Sequence, residues 1–190
     1  KKLRILFVAE HYPPNIGGVE TFFFELRKRL IARGHHVDVV TSAETDAPHI
    51  ESDDGGTIYR VGKNQNSFTF LSIPIVMKIG AKADIIHATM YNAVLPAWIG
   101  SKIHGKTSVL SVHEVLGPDF AHVFTGRAYK ARIFAFLERV LLGFNFDHTV
   151  AVSKATQKKL RGKSSVIYHG IDSMFTPTRA KHDGFEFLYY

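Results

Sequence analysis

Strand-length apolar runs alternate with helix-patterned stretches along the whole chain, and few folds tolerate that order. Residues 3–10, 36–42, 57–61, 85–88, 107–113, 148–152 and 165–168 read as strands. Helical patterns fall between most of them, from Val19 onward and at 70–79, 92–104, 127–142 and 154–161. This alternation predicts an α/β, Rossmann-like, doubly wound and mainly parallel sheet of about seven strands with helices on both faces. A chain of 190 residues suffices for one core, which by size scaling buries about 70% of its unfolded surface.

The first helix is the clearest. Val19, Phe22, Phe23, Leu26 and Leu30 recur at helical spacing as one apolar stripe, while Glu20, Arg27, Lys28 and Arg33 are expected to face water. Gly34 supplies the left-handed stop. Residues 43–56 carry Asp46, Pro48, Asp53, Asp54 and two glycines and read as a surface loop. Asp53 and Asp54 read there as a solvated turn, since no other ligand-type side chain lies at metal spacing. Residues 1–177 form the expected domain; 178–184 read as a polar linker and 185–190 as the opening of a further buried strand, or as an edge strand of the same sheet.

Hydrophobic residues make up 45% of the chain and charged residues 22%, and no apolar run approaches the length of a membrane span. Residues 3–9 run into Glu10 and His11 without a small-residue cleavage site, so they read as a first strand and not a leader. There is no cysteine, which fits a reducing compartment. A net charge of +7 favours an anionic partner: a nucleotide diphosphate, a nucleic acid or an acidic lipid surface. Nucleic acid is the weakest, because no basic run exceeds Arg27, Lys28 and Arg29 and no aromatic platform motif appears. The stretch 127–142 mixes Arg127, Lys130, Arg132 and Arg139 with Phe134, Phe136, Leu137, Val140 and Leu141. It reads either as a peripheral contact with an anionic membrane or as a helix on the sheet with a solvated basic face.

The segment HYPPNIGGVE, directly after the first strand, reads as strand, glycine turn and helix start. Gly17 and Gly18 are expected to take positive φ and let an anion approach the free N–H groups of the helix, a phosphate being the natural guest. The spacing is not G-x-G-x-x-G, which disfavours a nicotinamide enzyme. His113 is expected at the carboxyl edge of the fifth predicted strand, where open α/β sheets place ligands, with Glu114 beside it. Tyr12, Asn15, Tyr91 and Asn92 fall on loops predicted at the same edge and are candidates for stacking on a ligand there and hydrogen bonding to it. A glycine turn that only joins strand to helix, and a His113 bonded to a neighbouring carbonyl, are the structural alternatives. The histidines show neither H-E-x-x-H nor paired three-to-four spacing, so no metal is expected.

Taken together, YPPNIGGVE at 12–20, RGHHVDVVT at 33–41, ADIIHA at 83–88, SVHE at 111–114, AVSKAT at 151–156 and VIYHGID at 166–172, followed by Phe175 and Pro177, resemble the N-terminal domain of retaining, GT-B fold glycosyltransferases of family four. The resemblance implies transfer of a sugar from a nucleotide-sugar donor to an acceptor such as a lipid-linked or other glycan. It implies no cofactor beyond the nucleotide-sugar substrate and no metal. Carried over, His113 is the catalytic residue, orienting the donor and stabilising charge. Gly17 and Gly18 meet the donor, and Tyr12, Asn15, Tyr91, Asn92 and Glu114 lie on the acceptor side. FEFLYY at 185–190 resembles the opening strand of a second, donor-binding domain, so this chain is expected to be half of an active site, inactive alone. It departs from the family at Tyr168, His169 and Gly170, where Pro-Asn-Gly is commoner, and at Thr89, where many relatives carry a second histidine. A nucleotide-sugar epimerase of the same fold and a non-catalytic sugar- or nucleotide-binding module are the competing functions. The expected location is the cytoplasm or the cytoplasmic face of the membrane, and no nucleic-acid partner is expected.

Overall fold

A computed structural model describes residues 1–44, 47–63 and 65–170. Alternating side chains of the central strand β1 (Arg4–Val8) point to opposite faces of one sheet. Leu6 and Val8 enter one core with Phe68, Val76, Ile86 and Val94, while Ile5 and Phe7 enter a second with Phe23, Val37 and Val39. Burial on both faces is what helices on both sides of a parallel sheet require.

Helix α1 (Gly18–Ala32) covers the second core. The strands β2 (His36–Ser42), β3 (Ile50–Asp53) and β4 (Gly56–Val61) lie to one side of β1. The helix α2 (Gln65–Gly80) then crosses back to β5 (Ile85–Thr89) on the other side. Continuing outward are α3 (Val94–His104), β6 (Thr107–Val112), α4 (Phe120–Val123), α5 (Ala128–Leu141), β7 (His148–Ala151), α6 (Lys154–Lys159) and β8 (Ser165–Val166). The spatial order is β3-β4-β2-β1-β5-β6-β7-β8, with every pairing parallel except β3 with β4. The order in which strands are added reverses between β1 and β5, which pair in parallel as Ile5 with Ile85 through Val8 with Ala88. The crevice beyond that switch point is where such sheets bind ligands.

The doubly wound architecture agrees with the alternation in the sequence, but the sheet has eight strands, because β3 lies inside the stretch 43–56 expected to be loop. All four of its residues are exposed. It exists through pairing, Ile50 opposite Tyr59 and Asp53 opposite Gly56, and a single polar edge strand leaves no alternation to read.

Arg27 also departs from expectation. It is 5% exposed, with Nε donating to the Val37 carbonyl at 3.0 Å and both terminal nitrogens to Asp53 at 2.7 and 2.8 Å. The solvated turn expected at Asp53 is therefore one end of a two-pronged ion pair, and the Arg27 hydrogen bonds hold the Asp53 carboxyl below its usual range. Gly34 takes φ +82 after α1, as a left-handed stop requires. Among the described residues no helix is long and apolar enough to cross a membrane. The linker and further strand expected over 178–190 lie outside the described residues, as does the domain division after 177.

Candidate active site

The loop after β1 delivers the glycine turn. Gly17 caps α1 in an extended conformation, φ −177 and ψ 171, and Gly18 is already helical. Neither uses positive φ, which corrects the expectation; what the two glycines provide is room. A Cβ on Gly18 meets nothing within 4 Å, whereas one on Gly17 would run into the Glu20 carboxylate. Glu20 is thus folded back over the cap, its negative charge at the positive end of α1. The Gly17 carbonyl accepts from Thr21 N–H at 3.0 Å. The amides of the first turn before it have no intrahelical acceptor, and the Glu20 carboxylate lies against this cap.

His113 follows β6 directly, at the carboxyl edge. Its ring lies 5.5 Å from that of Phe22 and 5.0 Å from that of His169, while His169 stacks on Phe22 at 4.2 Å with an interplanar angle of 14°. Nε2 of His113 is shut off from solvent and has no hydrogen-bond partner. The alternative of an imidazole bonded to a neighbouring carbonyl is therefore not found among the described residues. It is instead the backbone carbonyl of His113 that accepts, from Thr156 Oγ1 at 3.4 Å. Thr156 is held by the Ser153 cap of α6, which accepts from its N–H at 3.0 Å.

A third imidazole lies deeper. His87 Nε2 is 2.8 Å from Ser111 Oγ, and its ring sits against Phe7 and Phe23. Burial pushes both His87 and His113 down to about 4, each lowered further by a neighbouring imidazole. At neutral pH both rings are uncharged, so His113 acts there as a hydrogen-bonding group and not as a cation.

The remaining candidates are tied into the scaffold. Tyr12 is 2% exposed and belongs to the core under α1, its hydroxyl pushed up to about 12 by burial. That corrects its expected place as an open stacking face. Asn15 Nδ2 donates to Glu44 at 2.6 Å. Asn92 Nδ2 donates to Glu10 Oε2 at 2.7 Å, while its side-chain oxygen accepts from Thr69 at 3.1 Å. This amide ties the loops after β1 and β5 together across the switch point. Tyr91, at φ +65, donates its hydroxyl to Glu138 at 3.1 Å. Glu114 is exposed.

The sequence pattern of Glycosyltransferase Family 4 matches residues 16–174, the span holding the glycine turn, His113 and His169. The chain belongs to that family. One subunit of human phosphatidylinositol N-acetylglucosaminyltransferase is 31% identical over 135 residues, covering 65% of this chain and 28% of the human one. Sucrose-phosphate synthase from Thermosynechococcus elongatus superposes with a TM-score of 0.70 at 18% identity, over 93% of this chain and 51% of that one. Anabaena HepE, in complex with UDP-glucose, superposes at 0.61 with 19% identity, over 90% and 44%. These likenesses establish a Rossmann-like lobe of the GT-B glycosyltransferase fold. The chain spans about a quarter to a half of these relatives' length.

Within this family-four lobe, three contributors have little or no signature in the sequence. His169 stands out there only as a departure from Pro-Asn-Gly, and Phe22 is hidden in an apolar stripe. Glu138, 3% exposed on α5, gives no signal at all. Its carboxylate accepts from Leu116 N–H at 2.9 Å, Gly117 N–H at 2.6 Å and the Tyr91 hydroxyl, and so holds the loop that follows His113. Among the described residues no group of three or more His, Cys, Asp or Glu side chains is placed to hold a metal ion.

Proposed function

We propose that this chain is the acceptor-side lobe of a retaining glycosyltransferase that moves a sugar from a nucleotide-sugar donor to a lipid-linked or other glycan acceptor. The observation that carries the reading is the His113 imidazole, held neutral and without a partner among the described residues at the carboxyl edge of the sheet, in the same aromatic cluster as Phe22 of the glycine-capped α1. A complex of UDP-glucose with HepE supports the donor class. The name of the human relative, which couples N-acetylglucosaminyl transfer to phosphatidylinositol, supports a lipid acceptor.

Breaking the bond between an anomeric carbon and a diphosphate puts negative charge on the leaving oxygens and positive charge on the sugar. The amides at Gly18 and Val19 are fixed dipoles that stabilise the former without the reorganisation water requires. His113 hydrogen-bonds the donor sugar and orients it. The departing phosphate takes the acceptor's proton, and no metal or other cofactor takes part. Donor selection belongs to a second lobe, so the chain alone does not turn over. Its place is cytoplasmic, with α5 resting on an anionic membrane.

A Gly18→Val change tests this in the full-length enzyme. The added side chain finds open space and the fold survives, while donor kcat/KM is expected to fall by about tenfold or more, because the new side chain fills the space through which the donor reaches the amides. Unchanged kinetics removes the glycine turn from the mechanism.

A further inference from the structure

Helix α5 is turned inside out relative to an ordinary surface helix. Tyr129, Ile133, Phe136 and Val140 recur at spacings of three and four yet are 45–64% exposed, while Glu138 is buried on the inner face. Arg132 and Arg139 are exposed on the same helix, with Arg127 at its cap. Beside the stripe, which it meets at Phe136, a cavity of about 910 Å³ lies between α5, the segment after His113 and the end of α6.

The charge in that cavity is unbalanced. Five ionisable side chains line it: Asp119, Glu138, Arg139, Lys159 and Arg161. Glu138 already accepts from two backbone N–H groups and the Tyr91 hydroxyl. Asp119 pairs with Lys159 at 3.1 Å, and the same Lys159 donates to the Val115 carbonyl at 2.8 Å. Arg139 and Arg161 have no hydrogen-bond or ion-pair partner among the described residues. Two guanidinium groups without a partner among the described residues, lining one concave site, match a phosphate, and the apolar walls at Phe136 and Leu142 match what a phosphate on a lipid carries with it.

We propose that this cavity binds the phosphate headgroup of a membrane amphiphile, with Arg139 and Arg161 on the phosphate and the tail leaving along the exposed stripe of α5. The proposal rests on the membrane reading of α5 given above. It also places the lipid head beside the loop held by Glu138, which begins three residues on from His113.

Vesicle co-sedimentation of the full-length protein tests it. Phosphatidylcholine vesicles are doped with phosphatidate, or with cholesteryl hemisuccinate to the same surface potential. The protein is expected to sediment with both and to prefer phosphatidate. Arg139→Gln with Arg161→Gln is expected to weaken phosphatidate binding by about twenty-five-fold, at roughly fivefold for each basic residue withdrawn from an anionic surface, and to abolish the preference. Lys130→Gln with Arg132→Gln, removing the same charge outside the cavity, is expected to weaken both vesicle types equally and keep the preference. Dihexanoyl phosphatidate in solution is expected to compete where inorganic phosphate at the same concentration does not. Binding to both vesicle types without preference, equal effects of the two double variants, or competition by inorganic phosphate overturns the cavity while leaving α5 on the membrane. No binding to either vesicle overturns both.

Discussion

His113 and Arg27 are both polar side chains in apolar company, and their different partners give them different work. Arg27 is fully committed, its guanidinium divided between a strand carbonyl and one carboxylate, and it ties α1 to the β3–β4 turn. Asp53 is itself half exposed, so water partly compensates its loss. Asp53→Asn is expected to lower stability by about 1–2 kcal/mol in urea denaturation, less than the cost of orphaning a fully buried charge. His113 is uncommitted: Nε2 is closed to solvent, has no partner, and lies beneath Phe22 and His169. His113→Asn in the full-length enzyme is expected to reduce kcat by at least about tenfold, or about 1.4 kcal/mol of barrier; turnover within twofold of the parent contradicts the assignment. Helical spacing put Arg27 on the solvent side, because its partner lies 26 residues away and no local pattern announces a long-range ion pair. His113 was legible because the end of a strand is itself a position with meaning in a parallel sheet.

At the level of elements, α5 joins the candidate site to the surface. Its buried carboxylate organises the loop after β6, and its apolar stripe faces outward. Glu138→Ala strips the amides of Leu116 and Gly117 of their acceptor. It is expected to cost about 2–6 kcal/mol by chemical denaturation, from two orphaned N–H groups at roughly 1–3 kcal/mol each. Glu138→Gln, which keeps an acceptor oxygen, is expected to recover about half of that loss. The sequence showed apolar and basic residues sharing this stretch and left its outward face open between membrane and sheet. The structure turns Ile133, Phe136 and Val140 away from the sheet. Composition along a helix states which residues share a face; which face meets the sheet depends on the neighbours.

Across the whole molecule, the three imidazoles couple the site to acid stability. His87 and His113 are held near 4 against an ordinary value of 6.5. As pH falls below 6.5 the unfolded chain takes up protons first, so the stability their neutral forms confer is complete above 6.5 and is lost progressively down to about 4. For fully buried His87 this is worth at most roughly 3.5 kcal/mol, at about 1.4 kcal/mol for each pH unit of displacement. Melting temperature is therefore expected to drop between pH 6.5 and 4, and His87→Asn is expected to flatten that slope; a parent profile flat over the interval contradicts buried neutral imidazoles. The alternation of apolar runs and helical stretches by itself determined the parallel architecture, since burial on both sheet faces and the crossovers between strands are local, periodic demands on composition. The glycine turn and His113 were likewise visible, because a tight turn and a strand end constrain residue type in place. Tertiary structure alone decided the rest: the edge strand β3, the Arg27–Asp53 clamp, the grip of Glu138 on Leu116 and Gly117, and the meeting of His169 with His113. Each joins residues whose separation in sequence carries no period, so only the closed fold brings their charges and rings within reach.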